Sequence, residues 1–225
     1  MRIGRGRVKQ SEPDEDPADE TVTSELGWVS VDCDSRLWIP CPLAFPDGYD
    51  RDSWATMCAA AWWEQSGLDY RDDMIGRLAT MLQMVHGGYK RVRCHQIWSY
   101  LRDPGIPPQP VFIGIWKQAG DRDRRLRLLT GADDRSSAGK PQVVDVTTEH
   151  LGTGLRVLRH RIRDKGRKFA LLSYAFRVEE HETDLQLFTS TSNPDELTAA
   201  SDDIERLVQG ISVYRNTDEP RIVEP

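Results

Sequence analysis

Four strand-like segments in the second half of the chain are separated by connections of only a few residues, and this spacing restricts the possible folds most. The segments cover 142–149, 155–163, 168–179 and 183–190. Parallel neighbours need a long crossover, usually a helix, whereas antiparallel neighbours can be joined by a short turn. The second half of the chain is therefore predicted to form an antiparallel meander.

The rest of the chain alternates between helical and extended patterns. Apolar periodicity and boundary residues predict helices over 51–66, 70–86, 121–130 and 194–209, and shorter strands within 26–43, 90–101 and 211–214. The consecutive apolar residues of 111–116 are typical of a strand covered on both faces. The sequence predicts an α+β fold: an antiparallel β-sheet of six or seven strands with helices packed on both faces.

Two helices carry stripes that are predicted to face the core. In the first helix the stripe consists of Trp54, Met57, Cys58, Ala61 and Trp62. In the second it consists of Met74, Ile75, Leu78, Met81, Leu82 and Val85. Methionine at helical spacing is more typical of core packing than of a cofactor site.

Residues 1–25 have a different composition from the rest, because four basic residues are followed by seven acidic ones with almost nothing apolar. Such a segment cannot offset its ordering entropy by burial, so it is predicted to be a disordered tail before a single domain over 26–225. The alternative is an arm that docks on a partner. Since the tail holds much of the net charge of -6, the folded part is nearly neutral, and nucleic acid is not an expected partner.

The apolar runs are shorter than a bilayer span, and the first residues lack the apolar stretch of a secretory signal. Four cysteines in 225 residues are too few for a disulfide scaffold, so reduced thiols are expected. These features together favour a cytoplasmic protein.

The histidines and cysteines show no catalytic or metal-binding pattern. The five histidines are scattered singly, and no cysteine pair has the spacing of a zinc site. Cys94 and His95 are neighbours on a predicted strand and would point to opposite faces. Gly152 to Gly154 lacks the helix and lysine of a phosphate loop and is interpreted as a turn. No catalytic residue, cofactor or metal is predicted.

The most unusual local feature is a basic run on the predicted strand 155–163 and just beyond it. Its cationic residues are Arg156, Arg159, Arg161, Arg163, Lys165 and Arg167. Arg159, Arg161 and Arg163 would share one face of a strand, where they repel one another unless carboxylates or an acidic partner neutralise them. The run is therefore either a solvated outer face or a surface for an acidic protein segment, and Trp38 is a second candidate contact.

The order of elements and a few short motifs resemble the Mog1/PsbP-like superfamily over about 26–214. The motifs are Trp38-Ile39-Pro40-Cys41-Pro42, the Phe45-Pro46-Asp47-Gly48 turn, Asp184-Leu185 after a long strand, and a closing helix through Asp202-Asp203-Ile204. The resemblance implies a protein that acts mostly without catalysis. Family members include a photosystem subunit, a Ran-binding import factor, accessory lipoproteins and chaperone-like adaptors.

The function expected from these features is a non-catalytic protein-interaction module of the adaptor or chaperone-like kind, since neither a lipoprotein signal nor a photosynthetic targeting peptide is evident. Two alternatives stay open. One is a nucleic-acid-binding domain that uses the basic strand 156–168 for phosphates. The other is an enzyme whose site has no recognisable motif, which a large pocket lined by titrating groups would favour.

Overall fold

The computed structural model describes residues 28–69, 71–88, 92–162 and 166–214. The predicted tail, 1–25, lies outside these residues, so its disorder and the predicted domain boundary at 26 stay predictions. The described strands are β1 (Trp28–Val31), β2 (Trp38–Cys41), β3 (Gln96–Tyr100), β4 (Gln109–Lys117), β5 (Gln142–Thr148), β6 (Gly152–Ile162), β7 (Lys168–Val178), β8 (Thr183–Thr191) and β9 (Ile211–Tyr214). The helices are α1 (Arg51–Ser66), α2 (Asp72–Gly87), α3 (Arg122–Thr130) and α4 (Pro194–Gln209).

Seven strands form one sheet in the order β2-β3-β4-β8-β7-β6-β5, and every neighbouring pair is antiparallel. Strands β5 to β8 are consecutive, as the short connections predicted. Strands β1 and β9 pair separately, with Trp28 stacked on Tyr214 at 4.3 Å between ring centroids. The predicted fold class is confirmed.

The helices cover both faces of the large sheet. On one face α4 packs Leu197, Ala200, Ile204, Leu207 and Val208 against alternate residues of β4, β7 and β8, as predicted. On the other face α1 and α2 cover β2, β3 and β4. Helix α3 lies on this second face as well. The Gln186 amide donates to the Leu129 carbonyl of α3 at 2.5 Å, and Gln186 points to the side of the sheet away from α4.

The predicted core stripe of α1 is wrong at two positions. Met57 is 53% exposed and Ala61 is also exposed, whereas Ala55, Ala59 and Trp63 are buried. The stripe is rotated because the two adjacent tryptophans, Trp62 and Trp63, are both buried, in an edge-to-face contact. The α2 stripe is confirmed, with Ile75, Leu78 and Leu82 buried and its other members partly buried.

The turn predicted at Gly152 to Gly154 is also displaced. The chain reverses at Glu149 to Leu151, and β6 begins at Gly152, which has the left-handed φ of 71° that a tight connection requires. None of the helices in the described ranges has the length and apolar content to cross a bilayer.

Candidate functional site

Two arginines of the basic run share an internal counter-ion. Arg159 Nη1 and Arg161 Nη2 both donate to Oδ2 of Asp134, which lies in the loop after α3. The same loop is fixed to β6 by the hydrogen bond from Ala138 N–H to the His160 carbonyl, at 2.7 Å. The sequence left open whether these arginines are neutralised by carboxylates of the protein or by an acidic partner. The structure shows that the chain itself supplies a carboxylate, that of Asp134.

The electrostatics of Asp134 fit this role. Hydrogen bonds from the Ser136 hydroxyl and N–H, followed by the one from Arg161, hold the pKa of Asp134 well below its usual range. Burial and the neighbouring Arg161 lower the pKa of Arg159. Because one carboxylate serves two guanidinium groups, the pair is compensated in part and offers less to an acidic partner than two free arginines would.

The other members of the basic run that the structure describes do not join this pair. Arg156 lies on the opposite face of β6, where its side chain donates to Tyr174 Oη at 3.2 Å and Ser201 Oγ at 3.3 Å. Arg163 and Lys165 lie outside the described residues, and Arg167 is exposed. The structure thus divides the predicted basic surface between two faces of the sheet.

Trp38 is not a surface residue, so its prediction as a partner contact is wrong. Its side chain is 3% exposed and packs on Tyr100 in the core beneath α4, with 5.0 Å between ring centroids. Trp38 begins an edge strand, but the short sheet of β1 and β9 adds Val29, Ile211 and Val213 to the same core. That contact could not be derived from the local pattern.

His95 and Cys94, the neighbouring residues considered for catalysis or metal binding, lie in surroundings that favour a structural role. His95 Nδ1 accepts from Ile115 N–H at 2.9 Å, which ties the ring to β4. Burial raises the pKa of the Cys94 thiol to about 11, the opposite of what a nucleophile needs. Within the described residues, no group of three or more histidine, cysteine or acidic side chains is placed to hold a metal ion.

A cavity of about 90 Å³ lies between the segment after β3 and helix α4. Its lining includes Tyr100, Arg102 and Glu196. Pockets for small-molecule ligands typically measure about 300–1,000 Å³, so this cavity has room for little more than one side chain. It does not favour the enzyme alternative.

The outer edge of β5 stands out as an open surface. Strand β5 ends the seven-stranded order, and among the described strands it pairs with β6 alone. Its first four residues, Gln142 to Asp145, are all exposed, with Val143 38% and Val144 51% exposed. β-Branched side chains at such an edge favour strand formation and leave the edge attractive to another strand.

The main-chain groups of β5 that point outward can be identified from Thr147. The Thr147 carbonyl accepts from Gln209 Nε2 at 3.2 Å, and the Thr147 and Thr153 hydroxyls lie 3.1 Å apart across the β5–β6 pair. Close side chains mark a non-hydrogen-bonded pair, in which N–H and C=O point away from the partner strand. Because this pattern alternates, the N–H and C=O groups of Val143 and Asp145 also point outward.

The opposite edge of the sheet is protected. Strand β2 has only four residues, and Pro40 within it has no N–H to offer. Strand β5 has seven residues and contains neither proline nor lysine, two common means of blocking an edge. The sequence predicted a strand at 142–149, but its position at the edge depends on the distant pairing of β4 with β8. The one local signal of an edge position is the composition of β5, in which polar and β-branched residues are mixed so that neither face of the strand is continuously apolar.

Comparison with known proteins finds a likeness in fold alone. No protein-family model and no curated protein matches the sequence. LpqN, which is involved in cell envelope biogenesis of Mycobacterium tuberculosis, is a similar solved structure, with a TM-score of 0.41, 12% identity, and coverage of 53% of this chain and 71% of LpqN. The Ran-binding protein Mog1p of Saccharomyces cerevisiae has a TM-score of 0.37, 10% identity, and coverage of 52% and 78%. Neither similarity says what this chain binds.

Proposed function

We propose that this chain is a non-catalytic protein-interaction module that binds an extended segment of a partner protein along the outer edge of β5. One observation carries the proposal: Val143 and Asp145 direct main-chain N–H and C=O groups outward on an exposed strand. An added strand satisfies these groups without any rearrangement of the sheet. This is the geometry by which peptides extend sheets in several families of binding domains.

The energetics of such binding suit an adaptor or chaperone-like role. Each main-chain hydrogen bond contributes a net free energy of about 0.5–1.5 kcal/mol. Val143 and Val144 lie on opposite faces of β5 and add apolar contact on both sides of an incoming strand. Recognition through the main chain depends weakly on the partner's sequence, so it fits a protein that receives extended segments of its partners.

The basic run is a weaker basis for function. An acidic segment or a nucleic-acid backbone would have to compete with Asp134 for Arg159 and Arg161. All four cysteines are in the reduced form, which is compatible with the reducing cytoplasm that we propose as the setting. We therefore propose the β5 edge, rather than the basic run, as the binding surface.

Selection from a displayed library of peptides long enough to span β5, followed by amide hydrogen exchange, tests this proposal. Bound peptides are expected to be rich in β-branched residues and to protect the amides of Val143 and Asp145. Val143→Pro removes one outward N–H while leaving the bonds to β6, and it is expected to abolish binding. Val143→Thr keeps both the N–H and the β-branched shape, so it should bind as the wild type does.

Several outcomes would contradict the proposal. These are a library that yields no binder, binders that leave the two amides unprotected, or a Val143→Pro variant that binds with unchanged affinity. A salt titration separates the nucleic-acid alternative: affinity that falls steeply with log salt indicates phosphate contacts, whereas strand addition is nearly indifferent to salt.

A further inference from the structure

We propose that a second copy of this chain fits the β5 edge, forming a symmetric antiparallel β5–β5 pair centred on Val144. This inference rests on the proposed function, because it names one partner for the same surface. A symmetric dimer uses one surface twice, so that surface must complement itself. The ends of the open edge, its registers and its charges each bear on that requirement.

The open part of the edge has a definite midpoint. At one end Pro141, just before β5, has no N–H. At the other end the Thr147 carbonyl already accepts from Gln209 Nε2. Val144 lies midway between these two positions. An antiparallel pair of identical edges therefore places its symmetry axis naturally at Val144.

The hydrogen-bonding groups match in this register. Val143 of one copy lies opposite Asp145 of the other, and both residues point their N–H and C=O groups outward, so each such pair can exchange two hydrogen bonds. Pro141 lies opposite Thr147. Pro141 has no N–H, and the group opposite it is the Thr147 carbonyl, which already accepts from Gln209. The other outward N–H and C=O groups of the open edge each find a hydrogen-bond partner.

Neighbouring registers lose this match. With the axis at Val143, Pro141 would face Asp145, whose outward carbonyl would find no donor. With the axis at Asp145, the two Asp145 carboxylates would lie directly opposite each other, and like charges in that arrangement are destabilising. The Val143 N–H would also meet the occupied Thr147 carbonyl. The register centred on Val144 avoids each of these losses.

The side chains agree with the same register. Val144 is 51% exposed and would face its own copy at a non-hydrogen-bonded position, where cross-strand side chains approach most closely. Asp145 would face Val143 and keep its carboxylate in water. The result is one continuous sheet across both copies, in which each β5 ceases to be an open edge.

Charge exchange at Val144 provides the test. Sedimentation velocity over a range of protein concentrations is expected to show a concentration-dependent dimer for the full chain. Val144→Asp and Val144→Lys each place like charges on the axis and should each weaken the dimer by about tenfold or more. An equal mixture of the two variants should restore a dimer, because opposite charges then meet. Val144→Thr is the matched control and should dimerise as the wild type does.

Disulfide trapping tests the register. Val144→Cys is expected to cross-link to its own copy faster than Val143→Cys or Asp145→Cys, with the wild type measuring the background from the native thiols. Faster trapping at 143 or 145 would overturn the register, and so would a mixture of the Asp and Lys variants that stays monomeric. A wild type that is monomeric at every concentration, while peptides still protect Val143 and Asp145, would overturn the dimer and leave the proposed function intact.

Discussion

Arg177 and Asp184 lie opposite each other on β7 and β8 and form a buried ion pair, with 2.7 Å between Arg177 Nε and Asp184 Oδ1. Their side chains are 3% and 0% exposed. Arg177 also donates to the carbonyls of Ala119 and Gly120, both at 2.9 Å, while Arg125 of α3 lies 3.2 Å from Asp184 Oδ2. This ion pair thus joins two strands, a loop and a helix, and the hydrogen bond to Asp184 raises the pKa of Arg177.

Asp184→Asn is expected to lower the free energy of unfolding by roughly 3–5 kcal/mol, because it leaves Arg177 buried without its anion. Asparagine has nearly the same shape, so loss of packing volume would not explain the effect. Urea denaturation measures it. The control is Asp73→Asn in the exposed pair of Arg71 and Asp73, which should have no measurable effect. Equal, small changes in both variants would contradict a structural role for Asp184.

Local spacing was sufficient to predict most of the elements, because the signals for each lie within a few residues. The start of α1 is an example: Asp50 accepts from Ser53 N–H at 2.7 Å, and Gly67 ends the helix in the left-handed conformation. The antiparallel meander followed from connections too short for a crossover. These features require no knowledge of distant parts of the chain.

The candidate site could not be predicted in the same way, because each of its determinants comes from a distant contact. Asp134 lies 25 residues from Arg159 in the chain, so the strand pattern gave no sign of the counter-ion. Trp38 is buried by strands from both ends of the described chain. The open edge at β5 exists because β4 pairs with β8, and that pairing leaves β5 at the end of the sheet.

The rotated core stripe of α1 gives a paired prediction. Met57→Gln should change stability by no more than about 0.5 kcal/mol, because Met57 is 53% exposed. Ala59→Met should destabilise by about 1–3 kcal/mol, because Ala59 is fully buried beside Trp62 and Trp63 and has no room for a larger side chain. Chemical denaturation compares the two. A larger loss of stability for Met57→Gln than for Ala59→Met would support the core stripe predicted from the sequence.

The Asp134 counter-ion predicts a specific acid sensitivity. Because the folded protein holds the pKa of Asp134 below its usual range, this group stabilises the fold above the unfolded pKa of about 3.9. The contribution is lost as the pH falls below that value towards the depressed folded pKa. The difference in urea midpoint between wild type and Asp134→Asn should therefore be largest near neutral pH and shrink below about pH 4.

The difference between the two proteins is the useful quantity, since the other carboxylates titrate in both of them. A difference that stays constant with pH would show that Asp134 is not stabilised by Ser136 and Arg161. A difference that grows on acidification would reverse the sign of the linkage. In either case the two arginines would again be candidates for an external acidic partner.

The connection between α4 and β9 predicts an unusual pair of glycine effects. A Cβ added at Gly210 would overlap the carbonyl of Asp32, whose own N–H donates to the Gly210 carbonyl at 2.9 Å. Gly210→Ala should therefore separate this contact and weaken the adjacent β1–β9 pair, lowering the free energy of unfolding by about 1–3 kcal/mol. Gly76 within α2 is the matched control, because a Cβ there meets nothing within 4 Å.

Gly76→Ala should instead stabilise the protein by about 0.5–1 kcal/mol, since alanine loses less backbone entropy in a helix interior. Urea denaturation should show changes of opposite sign in the free energy of unfolding for the same added methyl group. This result would distinguish steric overlap at Gly210 from reduced chain entropy at Gly76. Amide exchange at Trp28 to Val31 should rise in the Gly210 variant and stay unchanged in the Gly76 variant. If both variants were stabilised, the contact between Gly210 and Asp32 would not hold β1 in place. The burial of Trp38 would then need an explanation other than the position of β1.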